Sequence, residues 1–506
     1  MIKNIIEYFE STIKECPDKV AVIDGDRKVS FSELANMALS IGTAIHNQDA
    51  QLKKAPIAVF LPKSVECIVA DIGVIYSGNA YMNLDVKTPL QRIGNILDLV
   101  KPAFVITNGK MMSQLSTVFE EERVLLIEDI LEVIPNQMLM LEKLEQIIDT
   151  DPLCLINTSG STGTPKSVVL NHKSFVDFTE WAIDTMEWRE EEIIGSLSPA
   201  VFDIYSFELC LLMSKSNTMV VIPDSFAAFP AKILQLIDGL KVSYIFWVPT
   251  IMVNIANMGL LDRFDLSSLK MIWFAGEVFP TKQFNLWRKK LNNTKFVNMY
   301  GPIEITLDCT YYVIEREIPD DEPIPIGFPC RNTDILILDD NDSLIEQKNF
   351  EGELCVRGTS LAMGYYNNPE KTALAFVQNP LNTAYPELIY RTGDIVYINN
   401  FGEIVFKGRK DSLIKHSGYR IELSEIEHVI VNSLKLVNNG CAVYDYTKKE
   451  IVFFYEKDVE LSVAEMRKAI SKALPIYMVP TKYMYMEELP RNTNGKIDRL
   501  KLKNSI

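Results

Sequence analysis

Residues 157–166 read NTSGSTGTPK, and the apolar stretch 152–156 (PLCLI) leads into them. Glycines and hydroxyl side chains fill positions 158–164, and Lys166 ends the run. Glycines let backbone N–H groups approach an anion, hydroxyls donate hydrogen bonds and a lysine supplies charge, so this run predicts a phosphate-binding loop. It is not a Walker A loop, because Pro165 precedes the lysine where that motif has glycine. A flexible Ser/Gly linker is the alternative, but a linker has no reason to lie between two strand-like segments.

Short apolar runs alternate with helical patterns through the first 400 residues, on both sides of this loop. The segment 65–77 is predicted as a buried helix, and predicted strands lie at 57–60, 103–106, 219–222, 244–247, 271–274 and 296–299. This alternation is typical of parallel sheets covered by helices on both faces. From residue 324 the pattern changes to strands joined by tight turns, at 333–338, 352–357 and 389–398, which indicates a β-rich subdomain.

A second break falls at 408–411 (GRKD), and helix, strand and helix patterns follow at 423–432, 451–455 and 462–474. A chain of 506 residues exceeds one ordinary core. We therefore predict an α/β protein with a large N-terminal domain over 1–407, whose β-rich subdomain spans about 324–407. A hinge at 408–411 would join it to a small mobile α+β C-terminal domain over 412–506.

The composition excludes several classes of protein. A net charge of −16 argues against a nucleic-acid partner, which needs a basic field, although a local pocket can still bind an anion. The eight cysteines form no CxxC pair and the four histidines are dispersed, so no zinc site is predicted and a reducing, cytoplasmic location is expected. No apolar run approaches the ~20 residues of a membrane span. Ile5, Phe9 and Ile13 predict an amphipathic N-terminal helix rather than a signal peptide.

Five motifs occur in a fixed order: TSGSTGTPK at 158–166, YGPIE at 300–304, YRTGD at 390–394, GRKD at 408–411 and NGKIDR at 494–499. Together they resemble the adenylate-forming superfamily of acyl-CoA synthetases, luciferases and amino-acid adenylation domains of nonribosomal peptide synthetases. The resemblance is closest to amino-acid adenylation enzymes, including D-alanine–carrier protein ligases, because Asp203 matches the aspartate that meets the substrate α-ammonium. An ammonium that leaves water needs such a paired anion. The alternative is that Asp203 caps a helix.

The resemblance implies a reaction in two halves. A carboxylate attacks the α-phosphorus of ATP to give an acyl-adenylate and pyrophosphate, and a thiol then attacks the adenylate. Lys166 and Glu304 would act on the phosphates and on Mg²⁺, an ion that prefers oxygen ligands, and Lys496 would neutralise charge at the reacting centre. The nucleotide-binding residues implied are Thr158, Ser159, Gly160, Ser161, Thr162, Gly163, Lys166, Tyr300 (on adenine), Gly301, Glu304, Asp394 (on the ribose hydroxyls), Arg409 (on the ribose) and Lys496.

The small domain would rotate about Asp411 between the half-reactions, which would exchange Lys496 for another face and bring Gly418 to the thiol tunnel. The chain departs from the usual family spelling at Ser167, Ile303 and Leu413. None of these departures removes a charge that the mechanism needs, but Ile303 replaces a threonine and removes a hydroxyl near the nucleotide.

The motifs also define an amino-acid pocket. Its implied residues are Asp203, Ile204, Phe207, Phe246, Trp273, Ala275, Met299, Leu307 and Asp308. Bulky walls favour a small or flat side chain, although a methylene misfit costs only ~1–3 kcal/mol. Asp308 could attract a basic or hydroxylated side chain, could join Asp203 at the ammonium, or could simply be satisfied by Cys309 or a backbone amide. D-alanine ligases commonly have cysteine where this chain has Ala275.

These patterns predict an ATP- and Mg²⁺-dependent amino-acid–carrier protein ligase. No carrier pattern follows 494–499, so we expect the acceptor to be the phosphopantetheine thiol of a separate carrier protein. Two alternatives stay open: an acyl- or aryl-acid–CoA ligase of the same superfamily, and a catalytically silent nucleotide-binding scaffold.

Overall fold

Strands and helices alternate in the computed structural model, which describes residues 2–158, 165–410, 413–437, 439–457, 461–491 and 497–506. The strands, numbered in chain order, are β1 (Val20–Asp24), β2 (Arg27–Ser30), β3 (Pro56–Val59), β4 (Ala80–Asn83), β5 (Val105–Thr107), β6 (Val124–Leu126), β7 (Pro152–Thr158), β8 (Lys166–Asn171), β9 (Ile193–Ser196), β10 (Thr218–Val221), β11 (Tyr244–Trp247), β12 (Met271–Phe274), β13 (Lys295–Tyr300), β14 (Thr310–Val313), β15 (Phe328–Pro329), β16 (Thr333–Leu338), β17 (Gly352–Gly358), β18 (Gly364–Tyr365), β19 (Phe376–Gln378), β20 (Leu388–Ile398), β21 (Ile404–Arg409), β22 (Leu413–His416), β23 (Tyr419–Glu422), β24 (Asn439–Asp445), β25 (Glu450–Glu456) and β26 (Lys482–Met486). The α-helices are α1 (Ile6–Glu15), α2 (Phe31–Gln48), α3 (Val65–Tyr76), α4 (Leu90–Val100), α5 (Gly109–Leu115), α6 (Ile127–Ile130), α7 (Gln137–Glu145), α8 (His172–Met186), α9 (Asp203–Lys215), α10 (Pro230–Leu240), α11 (Pro249–Asn257), α12 (Thr281–Lys290), α13 (Pro369–Ala375), α14 (Leu423–His428), α15 (Val463–Ile470) and α16 (Arg499–Lys503).

Two large sheets carry most of these strands. One has the order β15-β14-β13-β12-β11-β9-β10-β1-β2, parallel from β13 to β1 and antiparallel at both edges. The other has the order β18-β8-β7-β4-β3-β5-β6, parallel from β7 to β6 and antiparallel at β8 and β18. The predicted α/β fold with parallel sheets is confirmed, and the antiparallel edges are an addition that short apolar runs do not signal.

The burial of the central strands explains why the sequence predicted them. All four residues of β3 and all four of β11 are buried, as expected for parallel strands with both faces covered. The predicted buried helix is α3, and the Ser64 side chain caps it by accepting the Cys67 N–H at 3.4 Å. Within α3, the Asp71 carboxylate accepts hydrogen bonds from Asn83 Nδ2 (2.9 Å) and the Tyr205 hydroxyl (2.7 Å). Burial raises the pKa of Asp71 to about 7.

The loop that opened the sequence analysis joins β7 to β8, two antiparallel strands in which Thr158 pairs with Lys166. Both ends of the run belong to this one pair of strands, so the run does not link two separate units of the chain. A P-loop lies instead between a strand and a helix. Residues 159–164 lie outside the described ranges.

The β-rich part is an antiparallel sheet of β16, β17, β20 and β19, with β21 paired to β20. Beyond it lie the β22–β23 hairpin and a three-stranded sheet, β24-β25-β26. This C-terminal part has its own apolar core, which includes Ile426, Phe453 and Met466. The domain boundaries and the hinge stay predictions, and Asp411 lies outside the described ranges.

The structure also bears on further features that the sequence predicted. The helix predicted over 462–474 ends at Ile470, and turns follow over 471–473 before Pro475. The helix predicted over 423–432 is α14 followed by a π-helical turn at Val429–Ser433. All eight cysteines are free thiols, and no helix in the described ranges is long and apolar enough to cross a membrane.

Candidate active site

The main cavity lies beyond the carboxyl ends of β11, β12 and β13, where ligands bind in open α/β sheets. The β22–β23 hairpin closes its other side with Lys415, Gly418, Tyr419 and Arg420. Of the predicted nucleotide and substrate residues, the cavity brings together Thr158, Asp203, Ile204, Ala275, Gly301, Leu307 and Asp308.

Asp203 is the first residue of α9 and faces the cavity. Its carboxylate accepts the N–H groups of Ile204 (3.0 Å) and Leu307 (3.2 Å). Burial raises the pKa of Asp203 to about 6, against the lowering effect of these backbone hydrogen bonds. Phe202, not Asp203, occupies the N-cap position, so the helix-cap alternative is not supported.

A tight turn after β13 positions the Leu307 N–H group, which donates a hydrogen bond to Asp203. Thr306 and Leu307 both adopt positive φ, at 49° and 65°, which is uncommon for residues other than glycine and concentrates at functional sites. A Cβ added at Gly301 would lie 2.3 Å from the Leu307 carbonyl oxygen, so the backbones approach closely only because residue 301 is glycine. The strained turn directs the Leu307 N–H at Asp203.

Asp308 borders the same cavity and is only 3% exposed. Burial raises the pKa of its carboxyl well above the ordinary value, and the nearby Asp203 charge adds to this shift. The predicted contacts of Asp308 with Cys309 or a backbone amide are not present among the described residues.

Four of the predicted pocket residues do not border the cavity. Phe207, Phe246, Trp273 and Met299 are buried in the core behind it. The rings of Phe207 and Trp273 are stacked, with centroids 5.6 Å apart, and Phe246 meets Trp273 edge-on at 5.5 Å. These aromatic side chains form the wall that limits the depth of the pocket.

The residues predicted for adenine and ribose form one buried group. Asp394 is 1% exposed, and its carboxylate accepts hydrogen bonds from the Tyr300 hydroxyl and the Arg409 guanidinium. Asp394 and Arg409 are cross-strand partners on β20 and β21, so the sheet register brings this acid and base together. Arg409 also donates to the Thr392 carbonyl at 2.9 Å.

The predicted phosphate and metal residues are paired with the β22–β23 hairpin. Lys166 Nζ lies 2.7 Å from the Glu422 carboxylate, and the Arg420 guanidinium contacts the Glu304 carboxylate. Glu304 also accepts the Tyr365 hydroxyl at 2.8 Å. Burial pushes the pKa of Glu304 upward, but Arg420 and Tyr365 outweigh it and hold that pKa below the ordinary value.

Glu304 fits the coordination preferences of Mg²⁺. The described part of the chain holds no cluster of three or more His, Cys, Asp or Glu side chains that could bind a metal. Mg²⁺ does not require one, because proteins usually bind it through one or two carboxylates together with phosphate oxygens and water. Glu304 is a single buried carboxylate near Lys166, and its oxygen atoms could bind the metal in that way.

Further contacts hold the C-terminal part against the cavity. Gly418 N–H donates to Glu277 Oε1 at 2.8 Å, and the ring of Tyr419 stacks on that of Tyr477 at 3.6 Å. Arg92 of α4 pairs with Glu425 of α14, and both are buried. The motif order alone could not reveal this pair or the two hairpin pairs, because their members lie 116 to 333 residues apart.

Lys415 is a site residue that the sequence analysis missed. Its Nζ lies 5.3 Å from the centroid of the Tyr300 ring. Removal from water lowers its pKa, against the raising effect of Asp394. The sequence holds one signal that could have pointed to Lys415. Leu413 and Lys415 alternate along β22 and would face the same side of this strand, which follows the predicted hinge.

Some predicted residues cannot be placed. Lys496, Asp411 and the loop residues Ser159, Gly160, Ser161, Thr162 and Gly163 lie outside the described ranges. Their roles stay predictions, and the geometry above involves only their described neighbours Thr158 and Lys166.

Comparison with known proteins agrees with this arrangement. The family described as AMP-binding enzyme matches residues 9–366. Gramicidin S synthase 1 of Brevibacillus brevis is 28% identical over 513 residues, which cover 99% of this chain but only 44% of that protein. The chain thus spans less than half the length of this relative.

Two solved structures share the fold. The Vibrio cholerae adenylation domain AlmE, in complex with glycyl-adenosine-5'-phosphate, has a TM-score of 0.85 at 21% identity and covers 100% of this chain and 98% of its own. The o-succinylbenzoate CoA synthetase MenE of Bacillus subtilis has a TM-score of 0.82 at 19% identity, with coverage of 99% and 98%. The chain belongs to the AMP-binding enzyme family, within the adenylate-forming superfamily.

Proposed function

We propose that this chain uses ATP to activate an amino acid as an aminoacyl-adenylate, releases pyrophosphate, and transfers the aminoacyl group to the phosphopantetheine thiol of a separate carrier protein. The observation that carries the proposal is Asp203, an aspartate at the cavity that also adjoins the predicted nucleotide residues. A carboxylate held by two backbone N–H groups at a cavity offers a counter-charge for an ammonium. An acid without an amine would leave that charge without a partner.

The nucleotide would lie along the motif residues of the large sheets. Asp394 would accept the ribose hydroxyls, and Tyr300 would pack against the base. Lys166 and the hydroxyls of the loop from Thr158 would hold the phosphates, and Glu304 would hold Mg²⁺, which neutralises phosphate charge when bound. Lys496 would bind the substrate carboxylate and α-phosphate, which concentrates positive charge where negative charge develops.

The hairpin position suits the second half-reaction. With Gly418 against Glu277 and Arg420 on Glu304, the β22–β23 hairpin covers the place where Mg²⁺ and pyrophosphate would sit. We therefore assign this arrangement to the stage after pyrophosphate has left. In that stage the Gly418 backbone would line the route by which the carrier thiol reaches the adenylate.

Amino-acid-dependent exchange of pyrophosphate into ATP tests the proposal. We expect at least one amino acid to support exchange, and its des-amino analogue to support much less. Asp203→Asn should abolish this preference for the amine while Asp203→Glu retains part of it. Equal loss of exchange with both acids would show that Asp203 has only a structural role.

The acceptor is tested separately. Transfer to a holo-carrier protein but not to free coenzyme A supports the carrier ligase. Transfer to coenzyme A with des-amino acids supports the acid–CoA ligase, a class whose member MenE shares the fold. Absence of exchange with every acid, despite ATP binding, would favour the silent scaffold.

A further inference from the structure

Asp308 lines the cavity, and the sequence left its role open between a contact with the substrate and a contact within the protein. Its side chain is almost completely buried, yet no hydrogen bond or ion pair joins its carboxylate to any residue in the described ranges. Asp203, at the same cavity, has both carboxylate oxygens satisfied by backbone N–H groups. Buried polar groups in folded proteins are nearly always hydrogen-bonded, so a ligand is the natural partner of an acceptor that the protein leaves unsatisfied.

The charges around Asp308 favour a cationic partner. Asp203 is the carboxylate that acts on it most strongly, and Lys415 is the cation that opposes this effect. In the described structure no ion pair within 4.0 Å joins Lys415 to Asp308, and the Lys415 Nζ lies 5.3 Å from the centroid of the Tyr300 ring. One α-ammonium can neutralise one of the two carboxylates, and a second positive group of the ligand would stabilise the ionised form of the other.

The wall behind the two carboxylates limits the length of the substrate. Phe207 and Trp273 are fully buried and stacked, and neither borders the cavity. Ile204, Ala275 and Leu307 form the accessible surface beside Asp203 and Asp308. We therefore expect a substrate side chain that reaches Asp308 to be short.

We propose that Asp308 is a specificity residue that binds a second cationic group of the substrate, so that the substrate class is a short diamino acid. The α-ammonium would bind Asp203 and the side-chain ammonium would bind Asp308. This inference rests on the proposed function, because it assumes that the cavity binds an amino acid.

Pyrophosphate exchange over a graded substrate series tests the inference without any variant. The cationic probes are 2,3-diaminopropionate, 2,4-diaminobutyrate, ornithine and lysine, and the neutral probes are alanine, 2-aminobutyrate and serine. We expect one of the two shortest diamino acids to have the highest kcat/KM, about 10- to 100-fold above 2-aminobutyrate, as expected for a charge-assisted hydrogen bond. The inference is overturned if a neutral amino acid has the highest kcat/KM. If that amino acid is serine, the pocket recognises a hydroxyl group instead.

Asp308→Asn is the matched variant, because it keeps the size of the side chain and removes only its charge. The ratio of kcat/KM between the best diamino acid and 2-aminobutyrate should fall at least 10-fold. An unchanged ratio would overturn the inference. Failure of every amino acid in the wild-type assay would instead reject the proposed function, so the two failures are distinguishable.

Discussion

Asp71 shows how a single charged residue can be accommodated in an apolar helix. The sequence interrupts the apolar pattern of α3 at this position, and the structure supplies Asn83 and Tyr205 as hydrogen-bond donors to the same carboxylate oxygen. The other oxygen, Oδ1, is buried and has no hydrogen-bond partner in the described structure. The carboxyl therefore favours its protonated form, and its pKa is raised from 3.8 to about 7 by burial.

Replacement of Asp71 by asparagine should change how stability depends on pH. A raised pKa means that the folded state retains a proton that the unfolded state releases, so the contribution of Asp71 to stability falls as pH rises from about 4 to about 7. Asparagine does not titrate, so the free energy of unfolding of Asp71→Asn relative to wild type should increase by about 3 kcal/mol between pH 5 and pH 8. Urea unfolding at both pH values measures the difference.

Asp265→Asn is the control for this prediction. Hydrogen bonds from Ser267 and Lys241 lower the pKa of Asp265 to about 2, so this exposed carboxyl stays ionised over the same pH interval. Its variant should differ from wild type by a constant amount. Parallel pH profiles for Asp71→Asn and wild type would contradict the assignment of a raised pKa to Asp71.

At the level of single residues, the motifs predicted those site residues that belong to a short, local sequence pattern. Glu304, Asp394 and Asp203 were found because each belongs to a short motif, and the structure places each beside the cavity or in its buried surroundings. The partners Arg420 and Glu422 were missed because long-range pairing has no signature in neighbouring residues. The aromatic wall was predicted as pocket lining, because motif alignment cannot distinguish a side chain at a surface from one directly behind it.

At the level of elements, the β22–β23 hairpin imitates the charges of the predicted ligand. It presents a carboxylate, Glu422, to the lysine predicted for phosphate, and a guanidinium, Arg420, to the carboxylate predicted for Mg²⁺. Nucleotide phosphates and this hairpin therefore compete for Lys166 and Glu304. A molecule whose hairpin is docked cannot bind nucleotide phosphates at these residues. The apparent affinity for nucleotide therefore falls with the fraction of molecules in which the hairpin is docked.

Removal of the Glu422 charge should favour the nucleotide. Glu422→Gln weakens the pair with Lys166, so KM for ATP in pyrophosphate exchange should fall about 3- to 10-fold, the scale of a partly buried charge-assisted contact. Glu427→Gln is the control, because Glu427 pairs with Arg499 within the C-terminal part. A KM for ATP that rises in Glu422→Gln, or that changes equally in both variants, would contradict the competition.

The hairpin turn offers a second test at this level. Gly418 has φ of 83°, and a Cβ there would lie 2.9 Å from Val248 Cγ1. Gly418→Ala should slow aminoacyl transfer to the carrier thiol at least 10-fold and leave pyrophosphate exchange within about 3-fold, since only the docked hairpin meets Val248. Gly402→Ala is the control, because Gly402 has φ of 82° but nothing within 4 Å of an added Cβ. Equal effects of the two variants would attribute the loss to backbone strain alone.

Over the whole molecule, the parallel sheets were predictable because buried strands have short apolar runs and alternate with helices. The predicted strands at 244–247 and 271–274 agree with β11 and β12 residue for residue. The sheet edges and the packing of the C-terminal part on the cavity were not predictable, because they depend on contacts between distant segments. The Arg92–Glu425 pair is one such contact, and it joins α4 to α14 in a buried position.

The Arg92–Glu425 pair should govern docking rather than folding. Loss of one partner of a buried ion pair leaves an uncompensated charge, but separation of the C-terminal part would return Arg92 to water. We therefore expect Glu425→Gln to speed trypsin cleavage after Lys410 and to leave the main unfolding transition within ~1 kcal/mol of wild type. Exchanging the two charges, with Arg92→Glu and Glu425→Arg together, should restore slow cleavage. A large loss of global stability without faster cleavage would show that the pair belongs to a fixed core.

The aromatic wall behind Asp203 and Asp308 has a consequence for the fluorescence of the protein. Trp181 and Trp188 lie 6.2 Å and 6.1 Å from Trp273, whereas Trp247 and Trp287 belong to a separate core. Indoles at such distances share excitation energy, so the fluorescence of all three rings is sensitive to changes around Trp273. Trp273 stacks on Phe207, next to the pocket wall. The tryptophan cluster therefore lies near the proposed substrate pocket, and we expect its emission spectrum to change when an amino acid binds, without any added dye.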